Sequence, residues 1–130
     1  MFHTNRPGGY GQSTEDYLEA IYILSKNNSG LRAVALSDYF EYKRSSVSVA
    51  VKNMHTAGLI YFDEGKHIKL TPKGLYIAKK TYEKHLFFKE MLLEAGVAPE
   101  IAEATACPIE HDISDSAFNM LRKMEYRFCE

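Results

Sequence analysis

Val47, Ala50, Val51 and Met54 fall at i, i+3, i+4 and i+7, while Arg44, Ser45, Ser46, Ser48 and Lys52 fill the positions around them. This spacing gives a helix one apolar stripe and, opposite it, a polar and basic face. Such a helix must pack one side on a core and offers the other to a hydrophilic partner. The flanks narrow the choice further. Upstream, Val34, Leu36 and Phe40 alternate with small or polar residues in a shorter helix, and a turn of about four residues joins the two. Downstream, Gly58 stands where a residue of positive φ would end the second helix. Residues 59–62 then read as a strand, Asp63-Glu64-Gly65-Lys66 as a turn and residues 67–70 as the returning strand.

Residues 31–70 therefore read as a winged helix-turn-helix. Its second helix suits the DNA major groove, and its hairpin can touch the backbone beside it. Arg44 and Lys52 would supply phosphate or guanine contacts, Ser45, Ser46 and Ser48 shorter hydrogen bonds, and Lys66 and Lys69 would bring the wing to phosphate. Winged units also serve as protein-interaction modules, and the pattern alone leaves that reading open.

A net charge of -1 looks wrong for a DNA-binding chain until it is divided along the sequence. Residues 41–89 hold ten Lys/Arg against four Asp/Glu, and residues 90–130 hold three against nine. The basic middle belongs with phosphate, and the acidic end with something cationic or with the basic half of a second copy. The 130 residues are 45% hydrophobic, enough to bury a core, and no apolar run approaches a membrane span. Residues 1–12 lack the apolar centre of a signal peptide, so the expected place is the cytoplasm, with no membrane partner. Cys107 and Cys129 are too few for a disulfide scaffold and read as thiols.

Taken in order, residues 1–12 carry three glycines and a proline and read as a flexible arm, with Arg6 as its one basic residue. S-T-E-D from Ser13 signals a helix start, and the helix runs to about residue 25 with Tyr17, Ala20, Ile21 and Leu24 buried. Asp16 and Glu19 share another face, where capping and solvation would account for them. K-N-N-S-G at 26–30 is a turn. Thr71-Pro72 opens a long helix over 72–95 that carries His85, and Gly96 and Pro99 close it. A short acidic helix over 99–106 and a last amphipathic helix over 115–128 follow, the latter with Ala117, Met120, Leu121 and Met124. Phe118 and Phe128 add apolar surface that suits a homodimer seam. The expected class is mainly α, with an arm (1–12), a winged helix-turn-helix DNA-binding domain (13–72) and a helical metal-binding and dimerisation domain (73–130).

Cys107, Glu110 and His111 stand at i, i+3 and i+4, so on a helix they converge on one face. Thiolate, carboxylate and imidazole together suit a divalent transition ion better than calcium or magnesium. A cysteine in a short helix is also a common small hydrophobe, and Glu-His pairs are common on surfaces. If the long helix carries His85 beside the first helix and the chain returns through Pro99 to place Cys107, Asp16, Glu19 and His85 can meet this cluster, giving six potential ligands from three helices.

The run T-E-D-Y-L-E-A-I-Y, the segment R-S-S-V-S-V-A-V-K-N-M, L-T-P-K-G after the wing, the long helix with its His and C-P-I-E-H-D-I-S resemble the metal-dependent repressors related to the diphtheria toxin repressor and the manganese transport regulator. The resemblance covers about residues 13–125, in the short form without an SH3-like domain. It implies Asp16, Glu19, His85, Cys107, Glu110 and His111 as metal ligands. It also implies Mn²⁺ or Fe²⁺ as corepressor, with Zn²⁺ able to bind in vitro, and a homodimer that binds double-stranded operator DNA. Asp16 with Glu19 resembles the manganese-type arrangement, and Cys107 the iron-type one. Where the family's second site has an acid one turn after the helix His, this chain has Lys89, with Glu90 and Glu103 as substitutes at hand. Val49 stands where some relatives carry an amide, which shifts the expected readout toward methyl contacts and DNA shape.

An enzyme is not expected. A hydrolase using Glu110 as base would want an H-E-x-x-H helix, which is absent, and six protein ligands would leave little room for water and substrate. The nearer alternative is a winged-helix regulator that senses an organic ligand or oxidation of Cys107, with the metal site structural.

Overall fold

The computed structural model describes residues 12–128, and for Gln12 and residues 125–128 the backbone only. The elements are α1 (Gln12–Ser25), α2 (Ala33–Phe40), α3 (Arg44–Thr56), β1 (Ile60–Phe62), β2 (Ile68–Leu70), α4 (Pro72–Glu94), α5 (Pro99–Asp112) and α6 (Asp115–Phe128). They divide into two compact units, one through Tyr82 and one from Glu83, so α4 contributes to both. The arm expected over 1–12 lies outside the described residues except for Gln12, as does Cys129.

In the first unit, Leu18, Ile21, Leu31, Leu36, Val47, Leu59, Ile60 and Ile68 are almost wholly buried in one core. The stripe read from the sequence of α3 packs into it through Val47, Val51 and Met54. Leu18 of α1 joins the core although its position lies beside the expected stripe of that helix. Helix α1 begins at Gln12, so Ser13 lies inside it and is not the cap that S-T-E-D suggests.

The α2–α3 turn has three residues rather than about four. Glu41 takes a left-handed conformation at φ 57°. Buried Ser37 fastens the turn twice: its hydroxyl donates to the Tyr42 carbonyl at 2.6 Å, and its own carbonyl accepts the Tyr42 N–H at 3.1 Å. The Phe40 and Tyr42 rings stack, and Tyr17 meets both edge-on.

Helix α3 ends as the sequence suggests. Gly58 has φ 75°, its N–H bonds the His55 carbonyl, and the Leu59 N–H reaches back to the Met54 carbonyl. This is the Schellman pattern, which turns otherwise orphaned carbonyls inward and brings Leu59 and Met54 into the same core. The strands β1 and β2 pair antiparallel with Tyr61 opposite Lys69, each starting one residue later than the alternation suggests. Thr71 then joins wing to α4. Its hydroxyl donates to the Gly58 carbonyl at 2.7 Å and accepts the Gly74 N–H at 3.1 Å, the N-cap bond expected of Thr-Pro.

The second unit packs Phe88, Ala106 and Phe118 together, with Phe87, Ile109, Ile113 and Leu121 around them. The expectation of a helix ending near residue 106 is corrected here: α5 continues through Pro108 to Asp112. An interior proline costs a helix about 3 kcal/mol by its missing N–H and ring clash. Burial of Ala106 and half-burial of Ile109 in this cluster favour continuation. Lys84, nearly buried, fastens the next corner by donating to the Ile113 carbonyl at 3.1 Å and pairing with Asp115 at 2.8 Å.

Candidate metal centre and nucleic-acid interface

On the first unit, Arg44, Ser45, Ser46, Ser48 and Lys52 are all exposed on α3, as a groove-reading face requires. Val49 is 60% exposed on the same helix and offers methyl groups where an amide was absent. Lys66 is exposed at the wing tip in the left-handed region, φ 62°. Lys69 is only half exposed and donates from Nζ to the Ser29 carbonyl at 2.8 Å, so its ammonium is partly engaged within the fold. Arg32, which the sequence reading passed over, donates to the Gly65 carbonyl at 2.9 Å and steadies the wing tip. No periodicity marks such a long-range tie.

The wing turn is locked by Asp63. Its carboxylate accepts the His67 N–H at 2.9 Å and faces His67 Nδ1 at 3.2 Å. The His67 backbone N–H is the main cause holding the Asp63 carboxyl below its ordinary range, aided by the His67 side chain and the Gly65 N–H and opposed by partial desolvation. In the core, burial pushes the Tyr17 hydroxyl up, and Tyr42 adds to this.

Asp16 and Glu19 lie one turn apart on α1, both half-buried, so neither is the fully solvated carboxylate that capping or surface exposure would give. Of the residues singled out from sequence, these two belong to the first unit and His85, Cys107, Glu110 and His111 to the second.

Within the second unit the four gather closely. One ligand atom each from Cys107, Glu110 and His111 lies within 4.8 Å of the others. Glu110 is the hub: its Oε2 is 3.0 Å from His85 Nδ1 and its Oε1 is 3.4 Å from His111 Nε2. Glu110 and His111 are buried and Cys107 half-buried. A buried carboxylate among imidazoles and a thiol is costly unless its charge is answered, and a divalent ion answers it. The donor set therefore fits a transition metal. Around it, Glu103 bridges His85 Nε2 and Lys89 Nζ, each at 3.0 Å. Desolvation pushes the Glu103 carboxyl up, but hydrogen bonds from Lys89 and His85 and their charges outweigh it and leave it below its ordinary range. Among the described residues no helix is long and apolar enough to cross a membrane.

Comparison with known proteins agrees with both halves. Residues 10–68 match the iron dependent repressor N-terminal DNA binding domain, and residues 71–126 match the iron dependent repressor metal binding and dimerisation domain. An HTH-type transcriptional regulator of Methanocaldococcus jannaschii is 35% identical over 119 residues, covering 90% of this chain and 95% of its own. The transcriptional regulator MntR of Escherichia coli O6:H1 is 30% identical over 108 residues, 83% of this chain and 70% of its own. The solved structure of the manganese regulator SloR superposes with a TM-score of 0.78 at 26% identity, covering 87% of this chain and 53% of that one. The chain thus spans about half the length of that solved relative. By both domain matches and by these relatives, the chain belongs to the family of metal-dependent transcriptional repressors that includes the diphtheria toxin repressor and MntR.

Proposed function

We propose that this chain is a repressor that binds operator DNA as a homodimer when loaded with Mn²⁺ or Fe²⁺. The observation that carries the reading is the buried Glu110, with an imidazole on each carboxylate oxygen and the Cys107 thiol beside it. The ligand set read from the sequence, Asp16, Glu19, His85, Cys107, Glu110 and His111, is proposed to hold the ion. A bound divalent ion supplies the positive charge that lets these anionic and neutral donors stand together. His85, Glu110 and His111 orient the donor atoms, while Ala106 and Phe118, both buried, give their helices a firm base. Mixed thiolate and carboxylate donors leave iron and manganese both served. Residues 13–72 are proposed as the DNA-binding domain and residues 73–130 as the metal-binding and dimerisation domain, at work in the cytoplasm.

Dimerisation is supported by the apolar surface of the second unit. Leu86, Met91, Leu93, Ile101, Met120 and Met124 are all exposed, an excess for a unit this small. In a twofold dimer, the two α3 helices would read half-sites about one DNA turn or a multiple apart. Metal would select the dimer geometry that fits them, with a coupling of about 1–3 kcal/mol.

The test is polarisation of labelled DNA from upstream of the chain's own gene, with chelator-stripped protein at fixed salt. Mn²⁺, anaerobic Fe²⁺ and Zn²⁺ are titrated separately. Saturable tightening that chelator reverses is the expected result, and the order of midpoints ranks the ions. Tight binding indifferent to every ion would overturn the metal-sensing reading and leave the DNA-binding unit.

A further inference from the structure

In the second unit, the two ring nitrogens of His85 face different carboxylates. Nδ1 lies 3.0 Å from Glu110 Oε2, and Nε2 lies 3.0 Å from Glu103 Oε1. The Glu110 side chain is wholly buried, whereas that of Glu103 is 54% exposed, so the ring has an inner and an outer nitrogen. Which nitrogen of a histidine binds metal is set by what the other one donates to. With its outer N–H given to Glu103, His85 keeps its lone pair for the Glu110 side.

Lys89 completes the arrangement. It follows His85 by one turn of α4, and its ammonium holds the second Glu103 oxygen at 3.0 Å. Glu103 thereby presents one oxygen to the ring and one to a tethered cation. An acid at position 89 would instead place two carboxylates beside the outer nitrogen, a donor group that draws a divalent ion.

We propose that Lys89 and Glu103 are positioning residues that commit His85 to bind metal through Nδ1, and that the Lys89 ammonium occupies the Glu103 oxygen that a further cation would otherwise draw on. The inference rests on the metal-sensing reading above and extends it to the atom that does the binding. Neither Lys89 nor Glu103 is itself a ligand. Glu103 acts by holding the ring, and Lys89 acts by holding Glu103.

The experiment uses the full chain labelled with ¹⁵N-histidine and loaded with ¹¹³Cd²⁺. Cadmium coupling on His85 Nδ1 with a proton retained on Nε2 is the expected signature. In equilibrium dialysis with Mn²⁺, E103A should bind about 10- to 100-fold more weakly, the usual effect of losing such an outer partner. K89R should stay close to the unmodified chain, since a guanidinium also pairs with a carboxylate, and K89E should take up one additional Mn²⁺ per subunit. Cadmium coupled to Nε2 would overturn the proposal, and so would a K89E protein of unchanged stoichiometry. A chain that takes up neither metal would overturn the metal-sensing reading and this inference with it, an outcome distinct from uptake at the wrong nitrogen.

Discussion

Glu110 Oε2 and His85 Nδ1 stand 3.0 Å apart, and the carboxylate is entirely removed from solvent. A charge in that position is stable only while its neighbours answer it. Replacing Glu110 with Gln keeps the side-chain volume and removes the charge. We expect E110Q to retain the far-UV circular dichroism of the parent and to lose its metal-stimulated DNA binding, a loss of about 5- to 150-fold in coupling. A variant with normal metal response in the polarisation assay would remove Glu110 from the ligand set.

Gly74 is buried against the wing, and a Cβ built on it would lie 2.0 Å from the Leu59 carbonyl oxygen. Both partners are backbone and neither can rotate away. G74A should destabilise the chain by about 2 kcal/mol or more, at the upper end of overpacking costs. Thermal unfolding followed by circular dichroism measures this, and a melting temperature unchanged from the parent would refute the close approach.

Asp63 gives the wing a pH dependence. Its folded pKa is depressed, so the stabilisation is present above the ordinary aspartate value of 3.8 and is lost as pH falls below that through the folded value. Hydrogen exchange of the His67 amide, corrected for intrinsic rates, should show protection that is full near neutrality and falls only in acid. D63N should show weakened protection already at neutral pH, because an amide oxygen is a poorer acceptor for that N–H.

Lys66 and Lys52 separate stability from binding. Lys66 holds a left-handed backbone at φ 62°, which costs a residue with a Cβ about 1 kcal/mol relative to glycine. K66G should leave the chain as stable or slightly more stable while weakening DNA binding. K52A, on the exposed face of α3, should weaken binding to all sequences alike and lower the salt slope by about 1. An unchanged slope would take Lys52 off the phosphate-contact surface.

Much of this was legible because it depends on periodicity and backbone chemistry. The Val47, Val51 and Met54 stripe, the positive φ at Gly58 and the Thr71 cap all follow from local rules that act over a turn or two. The spacing of Cys107, Glu110 and His111 was legible too, although Pro108 hid the fact that one helix carries them all. A proline is read as a break when only the chain is seen, and packing of Ala106 and Ile109 overrides it. Other features were not legible because they join distant positions. Lys69 with Ser29, Arg32 with Gly65 and Lys84 with Ile113 are side chain to carbonyl bonds, and carbonyls carry no sequence signature.

The wing is moored to the loop before α2 at three points. The Ile68 N–H bonds the Leu31 carbonyl at 2.7 Å, Lys69 reaches Ser29 and Arg32 reaches Gly65. The hairpin is therefore not an independent finger laid beside the recognition helix, because its pitch is dictated by residues 29–32. Drift in that loop would re-aim the hairpin, so the aim of the proposed DNA-facing surface can change without a single substitution on it.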